Sequence, residues 1–474
     1  MLNKNDPYTR LDGAELDRFT CKATDGLWTG IERALDNGYG TVFVLDQGGS
    51  VRGQATLDVL RSAIRGGVHL GAAVMGDVCV PLSHFDQPQA VLPSIDDVGR
   101  LVGVRIGTEA IFLPVAEPSL SHAELRNVLD AFLSTWISST GDYIRSFERR
   151  FAQKTGVAHG VATSNGTVSL QLALAALGIG ENDEVIVPDF TFAACANTVI
   201  HAGARPILVD VDTNTWCISL EAIKSAVTPR TRAVMPVHVF GRVAPMTEIR
   251  EFCHARGIFV IEDCAEAHGA CYDGKPVGSF SDVASFSFFA NKIVTTGEGG
   301  ICLTNDAKLA RRMQTLRDHG MNPERRYWHE EVGFNFRMTN LQASIGCAQL
   351  DRMDEFLRAR RAIDAMYLQA LGGIPGVEFP GVQDSRCSPV VWFSCVLVPA
   401  DQRAELLSAG RDVNIDLRPF FSGLSAMPAY ARYATVCPVS HSLSMRGINL
   451  PTSGKVDERV VGRIAEIFHD VLSR

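Results

Sequence analysis

Short apolar runs in the first 120 residues pair across glycine-rich turns, which is typical of hairpins. Gly40–Leu45 and Val51–Thr56 flank the turn DQGGS, and a helix through Leu60–Ile64 follows and stops at a glycine pair. A shorter copy comes later, with Val91–Ile95 and Arg100–Ile106 flanking DDVG. We therefore predict a small α+β domain over residues 1–120.

After residue 120 the pattern changes to helices that alternate with short apolar strands, which indicates an α/β unit with a mainly parallel sheet. The predicted strands are Glu184–Val187, Pro206–Val211, Arg232–Val237, Ile258–Glu262, Val283–Phe288 and Gly300–Thr304. The segment TSNGT opens a helix that is predicted to run to Leu177. A helix over Ala307–Arg317 and an irregular stretch, Asp318–Phe336, follow the last strand.

The C-terminal third begins with a long helix from Thr339 to Leu371 and continues into a smaller α+β piece. That piece has a strand at Val390–Val398 and a last helix from Asp457. We predict three domains, over residues 1–120, 121–365 and 366–474.

Composition narrows the classes of function. The chain is 46% hydrophobic and 21% charged, with a net charge of −8. We expect no nucleic-acid partner, because proteins that bind nucleic acids carry basic patches. No apolar run reaches the ~20 residues that span a bilayer, and the N-terminus lacks a signal-peptide core. Twelve cysteines without a C-x-x-C pair suggest neither disulfides nor zinc. We predict a cytoplasmic protein without a membrane partner or a metal.

The stretch SFSFFANKIVTTGEGG places Lys292 between apolar residues and a glycine-rich loop. Burial favours the neutral form of a lysine, and a neutral amine can condense with a carbonyl. The alternative is a surface lysine before a hairpin turn. Taken alone, the stretch favours the catalytic reading only slightly.

Three further segments could serve the same chemistry. TSNGT, at a strand-to-helix junction, could hold a phosphate at the helix N-terminus, or Ser164 or Asn165 could simply cap the helix. Asp263, after a buried strand, could hold a pyridinium nitrogen or form an ordinary cap or salt bridge. An aromatic ring in Phe190-Thr191-Phe192 could stack on a planar cofactor or pack in the core.

In this order, the four features resemble the fold-type-I pyridoxal phosphate (PLP) enzymes. Residues from about 125 to 474 resemble the DegT/DnrJ/EryC1/StrS sugar aminotransferases in WISSTGDYIRSFERRFA, TSNGTVSLQLALAALGIGENDEVIVPDFTF, VIEDCAEAHGACYDGKPVGSFSD and SFSFFANKIVTTGEGG. The resemblance implies an α/β large domain with a mixed, mainly parallel sheet and a smaller α+β C-terminal domain. It also implies PLP, L-glutamate as amino donor, a nucleotide-linked keto sugar as acceptor, and a homodimer with shared active sites.

The family's cofactor-binding roles carry over by position. Lys292 would bond to the cofactor and move the proton, Asp263 would pair with the pyridine nitrogen, and Glu266 would lie near the ring hydroxyl. Many relatives have Gln or His at the Glu266 position. Phe192 would stack on the cofactor ring. The phosphate would be held by Gly166, Thr167 and Ser287. The neighbouring subunit would contribute Asn335 or Arg337.

The substrate is indicated less specifically. RRYWHEEVGFNFRMTNLQASIG, the NK before TTGEGG, and LRPFF resemble members that aminate GDP-4-keto-6-deoxy-D-mannose, while a UDP- or dTDP-linked sugar is the alternative. The candidate contacts to the sugar nucleotide are Tyr327, Trp328, His329 and Arg418. Ser425, in GLSAMP, stands where many relatives have a histidine, so the substrate pocket is expected to differ there.

The sequence argues against three other functions. A dehydratase on the same scaffold replaces the lysine with histidine, so Lys292 argues against it. A catalytically silent nucleotide sensor is opposed by the intact Lys292, Asp263 and Ser287. GACYDGK fits the P-loop spacing, but Pro276 stands where that loop needs Ser or Thr, so we exclude it.

The first domain resembles a degenerate pair of CBS repeats in GTVFVLDQGGSVRGQAT and LPSIDDVGRLVGVRI. Such pairs commonly bind adenine nucleotides through a Thr or Ser followed three residues later by Asp. Here Asp58 follows Thr56 by only two residues. The resemblance therefore implies either a nucleotide site or a structural or oligomerisation appendage.

Overall fold

The computed structural model describes residues 8–11, 13–82, 91–107 and 112–474. The chain forms two compact units. The first comprises Met1–Leu113, Ser119–Arg126 and Arg411–Asp416, and the second comprises Pro114–Pro118, Asn127–Gly410 and Leu417–Arg474. The predicted first domain includes residues 1–7, 12, 83–90 and 108–111, which lie outside the described residues. The domain boundaries at 120 and 365 stay predictions.

Within its described residues, the first unit has two three-stranded sheets, ordered β1-β6-β5 and β2-β3-β4. Its strands are β1 (Tyr8–Leu11), β2 (Thr20–Lys22), β3 (Thr41–Leu45), β4 (Val51–Thr56), β5 (Val91–Ile95) and β6 (Leu101–Gly107). Its helices are α1 (Leu27–Asp36), α2 (Leu57–Arg65) and α3 (Met75–Val78), with a 3-10 helix at Gly13–Phe19. Both predicted hairpins are confirmed, because β3 pairs antiparallel with β4 and β5 with β6.

The second unit carries the longer elements. Its strands are β7 (His159–Thr163), β8 (Glu184–Pro188), β9 (Arg205–Val209), β10 (Thr231–Val234), β11 (Phe259–Asp263), β12 (Cys271–Tyr272), β13 (Lys275–Pro276), β14 (Val283–Ser287), β15 (Gly300–Thr304), β16 (Cys387–Ser388), β17 (Ser394–Leu397), β18 (Arg418–Pro419) and β19 (Gly447–Leu450). Helix α4 (His122–Leu133) contains the boundary between the two units.

The helices that follow α4 are α5 (Asp142–Thr155), α6 (Gly166–Ala176), α7 (Ala194–His201), α8 (Leu220–Ala226), α9 (Met246–His254), α10 (Ala307–Arg317), α11 (Asn340–Leu371), α12 (Arg403–Asp412), α13 (Pro438–Arg446) and α14 (Glu458–Leu472). Short 3-10 helices lie at Val239–Gly241, Leu424–Ala426 and Pro428–Tyr433. Among the described residues, no helix combines the length and apolar composition needed to cross a bilayer.

Seven strands form the central sheet of the second unit, in the order β7-β15-β14-β11-β10-β8-β9. Strand β15 is antiparallel to both of its neighbours, and the other neighbouring strands pair parallel. Every residue of β8, β14 and β15 is buried, as expected where both faces of a sheet are covered. The predicted mixed, mainly parallel sheet is confirmed.

Side-chain caps fix the helix starts around this sheet. The Asn165 side chain accepts a hydrogen bond from the Val168 N–H at 3.0 Å and begins α6. Thr339 and Gln342 form a capping box at the start of α11. A cap of this kind contributes about 1 kcal/mol to helix stability, so both starts are well defined.

The predicted strand over Val390–Val398 is wrong in length. Only Ser394–Leu397 forms β17, which pairs with β19 from Ser394 opposite Leu450 onward. The residue after the end of β19 is Pro451, which has no N–H to continue the ladder of hydrogen bonds between the two strands. Trp392 and Phe393 are therefore outside the sheet, although both are buried.

Candidate active site

A cavity of about 660 Å³ lies in the second unit, at the edge of the sheet where the parallel strands end. Strands β11 and β14 bring Asp263 and Ser287 to it as their last residues. The start of α6 adds Gly166 and Thr167, and the loop after β14 adds Lys292. The carboxyl ends of parallel strands are where open α/β sheets bind ligands. The cavity size is in the range of small-molecule sites.

Lys292 reaches this cavity from an apolar loop. Its side chain is 11% exposed, and Nζ lies 3.8 Å from Oε1 of Glu266. The other carboxylate oxygen of Glu266 accepts a hydrogen bond from the Phe240 N–H at 2.7 Å. Phe240 has a φ of 53°, so a left-handed turn points this N–H toward the carboxylate.

Burial is the main electrostatic influence on this pair. It lowers the pKa of Lys292 and raises the pKa of Glu266, while the attraction between the two charges opposes both shifts. Asp263 adds to the attraction on Lys292 and raises the pKa of Glu266 further. The two pKa values are therefore shifted toward each other, so transfer of a proton between the Lys292 amine and the Glu266 carboxylate costs less free energy than between the same groups in water.

Asp263 is held by two donors. The Cys195 thiol, one turn into the segment after Phe192, donates to Oδ2 at 3.1 Å, and the Ala265 N–H donates to Oδ1 at 3.0 Å. Asp263 is 7% exposed and lines the cavity. It is thus a fixed acceptor for a positively charged or N–H-bearing ring nitrogen.

The N-terminus of α6 lines one part of the cavity. The first N–H groups of a helix lack intrahelical partners, and here they belong to Gly166 and Thr167. A Cβ built on Gly166 would lie 2.7 Å from the Cβ of Ser287, so only glycine permits this close approach. Capping by Asn165 and anion binding at Gly166 are therefore compatible, although we predicted them as alternatives.

Aromatic rings form another wall. Phe192 is 57% exposed and lies with its ring centroid 5.9 Å from that of Phe421. Phe289 and Trp392 also line the cavity. Arg418, in β18, lies at its exposed rim.

The structure brings eight predicted site residues to this cavity: Gly166, Thr167, Phe192, Asp263, Glu266, Ser287, Lys292 and Arg418. Five others lie elsewhere in the single chain. Tyr327, Trp328 and His329 are exposed in the irregular stretch, where the backbone of Met321 pairs with His329. Arg337 pairs with Asp318 at 2.8 Å and donates to Asn335. That these residues complete a site stays a prediction.

Several residues in or beside the cavity escaped sequence reasoning. Asn291 lines the cavity and directly precedes Lys292, so its position next to the lysine could have flagged it. Cys195 contacts the lining residue Asp263 through its thiol rather than lining the cavity itself. Trp392 and Asn449 come from distant segments, and no local pattern marks them. Only the fold brings them near Lys292.

Ser425 lies away from this cavity. Its N–H donates to Oδ1 of Asp189 at 2.6 Å, and it lines a separate cavity of about 440 Å³. Ser425 therefore does not line the cavity that contains Lys292 in the single chain, and the expectation that the substrate pocket differs there stays a prediction. The polypeptide around Ser425 instead packs on the loop after β8.

Comparison with known proteins identifies the class. The DegT/DnrJ/EryC1/StrS aminotransferase family matches residues 118–469. The chain is 44% identical over 375 residues to the GDP-perosamine synthase of Caulobacter vibrioides, covering 76% of this chain and 98% of that protein. It is 41% identical over 363 residues to the GDP-perosamine synthase of Escherichia coli O157:H7, covering 76% and 99%. Among solved structures, the aminotransferase TlmJ from Streptoalloteichus hindustanus matches with a TM-score of 0.73 and 30% identity, covering 76% and 99%.

The sheet and its cavity define a PLP-dependent aminotransferase of fold type I. The chain belongs to the DegT/DnrJ/EryC1/StrS family of sugar aminotransferases. The residues present fit its cofactor, because the cavity combines a buried amine, a fixed carboxylate and a helix N-terminus pressed against Ser287. The family match begins at residue 118, so the CBS resemblance of the preceding residues stays a prediction.

Proposed function

We propose that this enzyme transfers the amino group of L-glutamate to the C4 ketone of GDP-4-keto-6-deoxy-D-mannose and so forms GDP-perosamine. The observation that carries the proposal is the 41–44% identity to two GDP-perosamine synthases over 98–99% of their lengths. The exposed guanidinium of Arg418 at the cavity rim suits a diphosphate. Transfer to a UDP- or dTDP-linked keto sugar is the alternative.

Lys292, Asp263 and Ser287 are the centre of the proposed chemistry. Lys292 would hold the cofactor covalently, Asp263 would pair with its ring nitrogen, and Ser287 would bind its phosphate together with Gly166 and Thr167. When bound, PLP draws in the electron pair released as a C–H bond breaks. Once the amino group of glutamate has displaced it from the cofactor, the free Lys292 amine would accept the proton that leaves the α-carbon of glutamate, and in the second half-reaction it would deliver a proton to C4 of the sugar.

Glu266 and Phe192 would support these steps. Glu266, 3.8 Å from the amine, keeps the lysine side chain in the cavity and would lie near the ring hydroxyl of the cofactor. Phe192 would stack on the ring. Because donor and acceptor use the same cavity in turn, we expect ping-pong kinetics.

The substrate is tested by a panel of keto-sugar nucleotides with glutamate as donor. The proposal predicts turnover of GDP-4-keto-6-deoxy-D-mannose with at least a hundredfold preference in kcat/KM over UDP- and dTDP-linked sugars. Turnover of a uridine or thymidine sugar without the guanosine sugar would refute the GDP assignment. Failure of every sugar, together with no release of 2-oxoglutarate from glutamate, would favour the silent nucleotide sensor.

We also propose a homodimer with shared active sites. Phe132, Leu133, Trp136 and Ile137 are 44–77% exposed in one short segment, which suits a protein interface. Asn335 and Arg337 would then reach the partner's cofactor. If so, mixing the inactive variants Lys292→Ala and Arg337→Ala restores about a quarter of wild-type activity, because some mixed dimers carry one intact site. No recovery from subunits shown to exchange would refute the shared site.

The first unit is proposed to be a CBS-like regulatory or structural domain. The Thr56 hydroxyl caps α2 by accepting from the Val59 N–H at 3.2 Å, and Asp58 is exposed and pairs with Arg61 at 3.0 Å. Calorimetric titration of the full chain with AMP and with CMP tests the nucleotide role. Absence of heat with both nucleotides leaves the structural role.

A further inference from the structure

Trp392 lies against the amine of Lys292. Nζ is 3.7 Å from the centre of the indole ring, and the tryptophan is 3% exposed. The indole Nε1 donates a hydrogen bond of 2.8 Å to the carbonyl oxygen of Asn291, the residue before the lysine. One side chain thus contacts Lys292 at its reactive end and also fixes the backbone from which it projects.

Two other elements hold Trp392 itself in place. Its carbonyl oxygen accepts hydrogen bonds from the Thr452 hydroxyl at 3.1 Å and from the buried guanidinium of Arg360 in α11. Arg360 also donates to Thr452 at 2.9 Å. The backbone of Trp392 is therefore held by the long helix and by the segment after β19, both of which lie outside the loop that carries Lys292.

The ring face of Trp392 compensates in part for the solvation by water that the Lys292 ammonium loses on burial. Burial away from water disfavours the ammonium form, and an aromatic face attracts a cation, most strongly where water is excluded. The titratable groups that face Nζ are Glu266, Asp263, Cys195 and His268. Of these, the carboxylates favour the ammonium form, and the ring face of Trp392 acts in the same direction.

We propose that Trp392 is a positioning residue for Lys292, whose indole face holds the amine toward Glu266 and whose ring nitrogen fixes the backbone at Asn291. The inference rests on the proposed role of Lys292 as the proton-accepting amine. It adds that the protonated amine formed during the reaction is stabilised by a neutral ring.

Two substitutions in the full-length protein separate the functions of the ring. Trp392→Phe keeps an aromatic face and loses the hydrogen bond to Asn291, and Trp392→Leu loses both. Trp216→Phe is the matched control, because Trp216 is 2% exposed, has the Arg242 guanidinium over its ring at 5.2 Å, and does not line the cavity.

The first measurement uses the cofactor-free protein. Lys292 is acetylated across a range of pH, and its labelling is quantified by peptide mass spectrometry. The pH at which labelling is half complete should be lower in Trp392→Leu than in the wild type. In Trp392→Phe it should lie between the values of the wild type and Trp392→Leu, and in Trp216→Phe it should equal the wild-type value. An unmoved midpoint in Trp392→Leu overturns the proposal. If the leucine variant does not fold, the midpoint of Trp392→Phe decides.

The second measurement is the glutamate half-reaction of the cofactor-loaded protein. We expect kcat to fall about tenfold in Trp392→Leu and about threefold in Trp392→Phe, with the KM for glutamate within about twofold of wild type. A raised KM with unchanged kcat would make Trp392 a substrate contact and overturn the proposal. Neither measurement needs the sugar, so failure of the GDP assignment would leave both results interpretable.

Discussion

Glu262 and Glu266 lie four residues apart and are both buried, but their surroundings differ. Glu262, in β11, is 0% exposed and accepts from four donors: Gly278 N–H, Phe280 N–H, the Ser281 hydroxyl and His238 Nε2, at 2.8–3.2 Å. Glu266 accepts from the Phe240 N–H and faces Lys292 at the cavity.

The cluster around Glu262 also has the residue types of a metal site. His238, Glu262 and Cys264 bring one potential ligand atom each within 4.8 Å of one another. However, both oxygens of Glu262 are occupied, and His238 Nδ1 accepts from the Ala244 N–H at 3.2 Å. This arrangement holds the turn at residues 238–244, which in turn presents Phe240 to Glu266.

The comparison separates structural from chemical use of a buried charge. A carboxylate whose oxygens are fully satisfied away from a cavity stabilises the fold, and losing it costs stability. A carboxylate that faces an amine in a cavity accepts fewer hydrogen bonds from the protein. Its protonation state and that of the amine therefore depend on each other. The predictions below test whether the two roles are in fact separate.

The largest expected effect is on activity at Lys292. Lys292→Ala removes the amine that we propose to hold the cofactor and to move the proton, so glutamate-dependent release of 2-oxoglutarate should fall on the order of 10⁴-fold or more. Lys275→Ala, at an exposed lysine of β13, is the control and should retain full activity. Substantial turnover by Lys292→Ala would show that the amine is not the reacting group.

The next largest effect is on stability at Glu262. Glu262→Gln leaves four buried donors facing a neutral amide, so the free energy of unfolding should fall by about 3 kcal/mol. Urea unfolding of the cofactor-free protein measures this change. Activity per folded molecule should remain within about threefold of wild type. A large loss of kcat in fully folded Glu262→Gln would erase the distinction between the two glutamates.

Glu266→Gln should give the converse result. The amide still accepts from Phe240 N–H but no longer attracts the Lys292 ammonium, so kcat should fall about tenfold while unfolding changes by less than about 1 kcal/mol. The pH profile of the glutamate half-reaction is the more specific readout, since the pKa of Lys292 should fall further. An unchanged profile would exclude coupling between the two groups.

The smallest effect concerns His268, which is fully buried among Phe151, Phe286 and Phe288. Its ring nitrogens have no hydrogen-bond partner within the described part of the chain, and burial lowers its pKa to about 3. Between pH 6.5 and 3 the unfolded protein therefore binds a proton that the folded protein does not, and stability falls as pH falls.

His268→Leu should remove this penalty. The loss of unfolding free energy between pH 7.5 and pH 6.0 should shrink by about 0.8 kcal/mol relative to wild type. His441→Leu, at an exposed histidine, controls for the replacement of a histidine by leucine. An equal pH dependence in wild type and His268→Leu would mean that His268 has a partner when folded.

The fold was largely predictable because its signals are local. Asp306 and Thr339 cap the helices that begin after them, and the helix Ala307–Arg317 has the bounds that the sequence predicts. Strand ends were less predictable, because the partner strand decides them. The strand predicted to run to Val237 ends at Val234, and β17 begins only at Ser394.

The site was predictable where its residues share local motifs. Asp263 ends a strand, and Gly166 and Lys292 come shortly after strands, so the sheet brings all three to one edge. Cys195 and Trp392 contact Asp263 and Lys292 through tertiary packing, which no spacing in the sequence records. The positions of Asn335 and Arg337 in an assembly depend on a second chain, which one sequence does not describe.

The central claim is that Lys292 is the lysine to which PLP is attached. The direct test is borohydride reduction of the cofactor-loaded full-length protein, followed by proteolysis and peptide mass mapping. We predict the mass of the reduced cofactor on the peptide that contains Lys292, and on this peptide alone. Stable labelling of a different lysine, with the Lys292 peptide unmodified, would contradict the assignment.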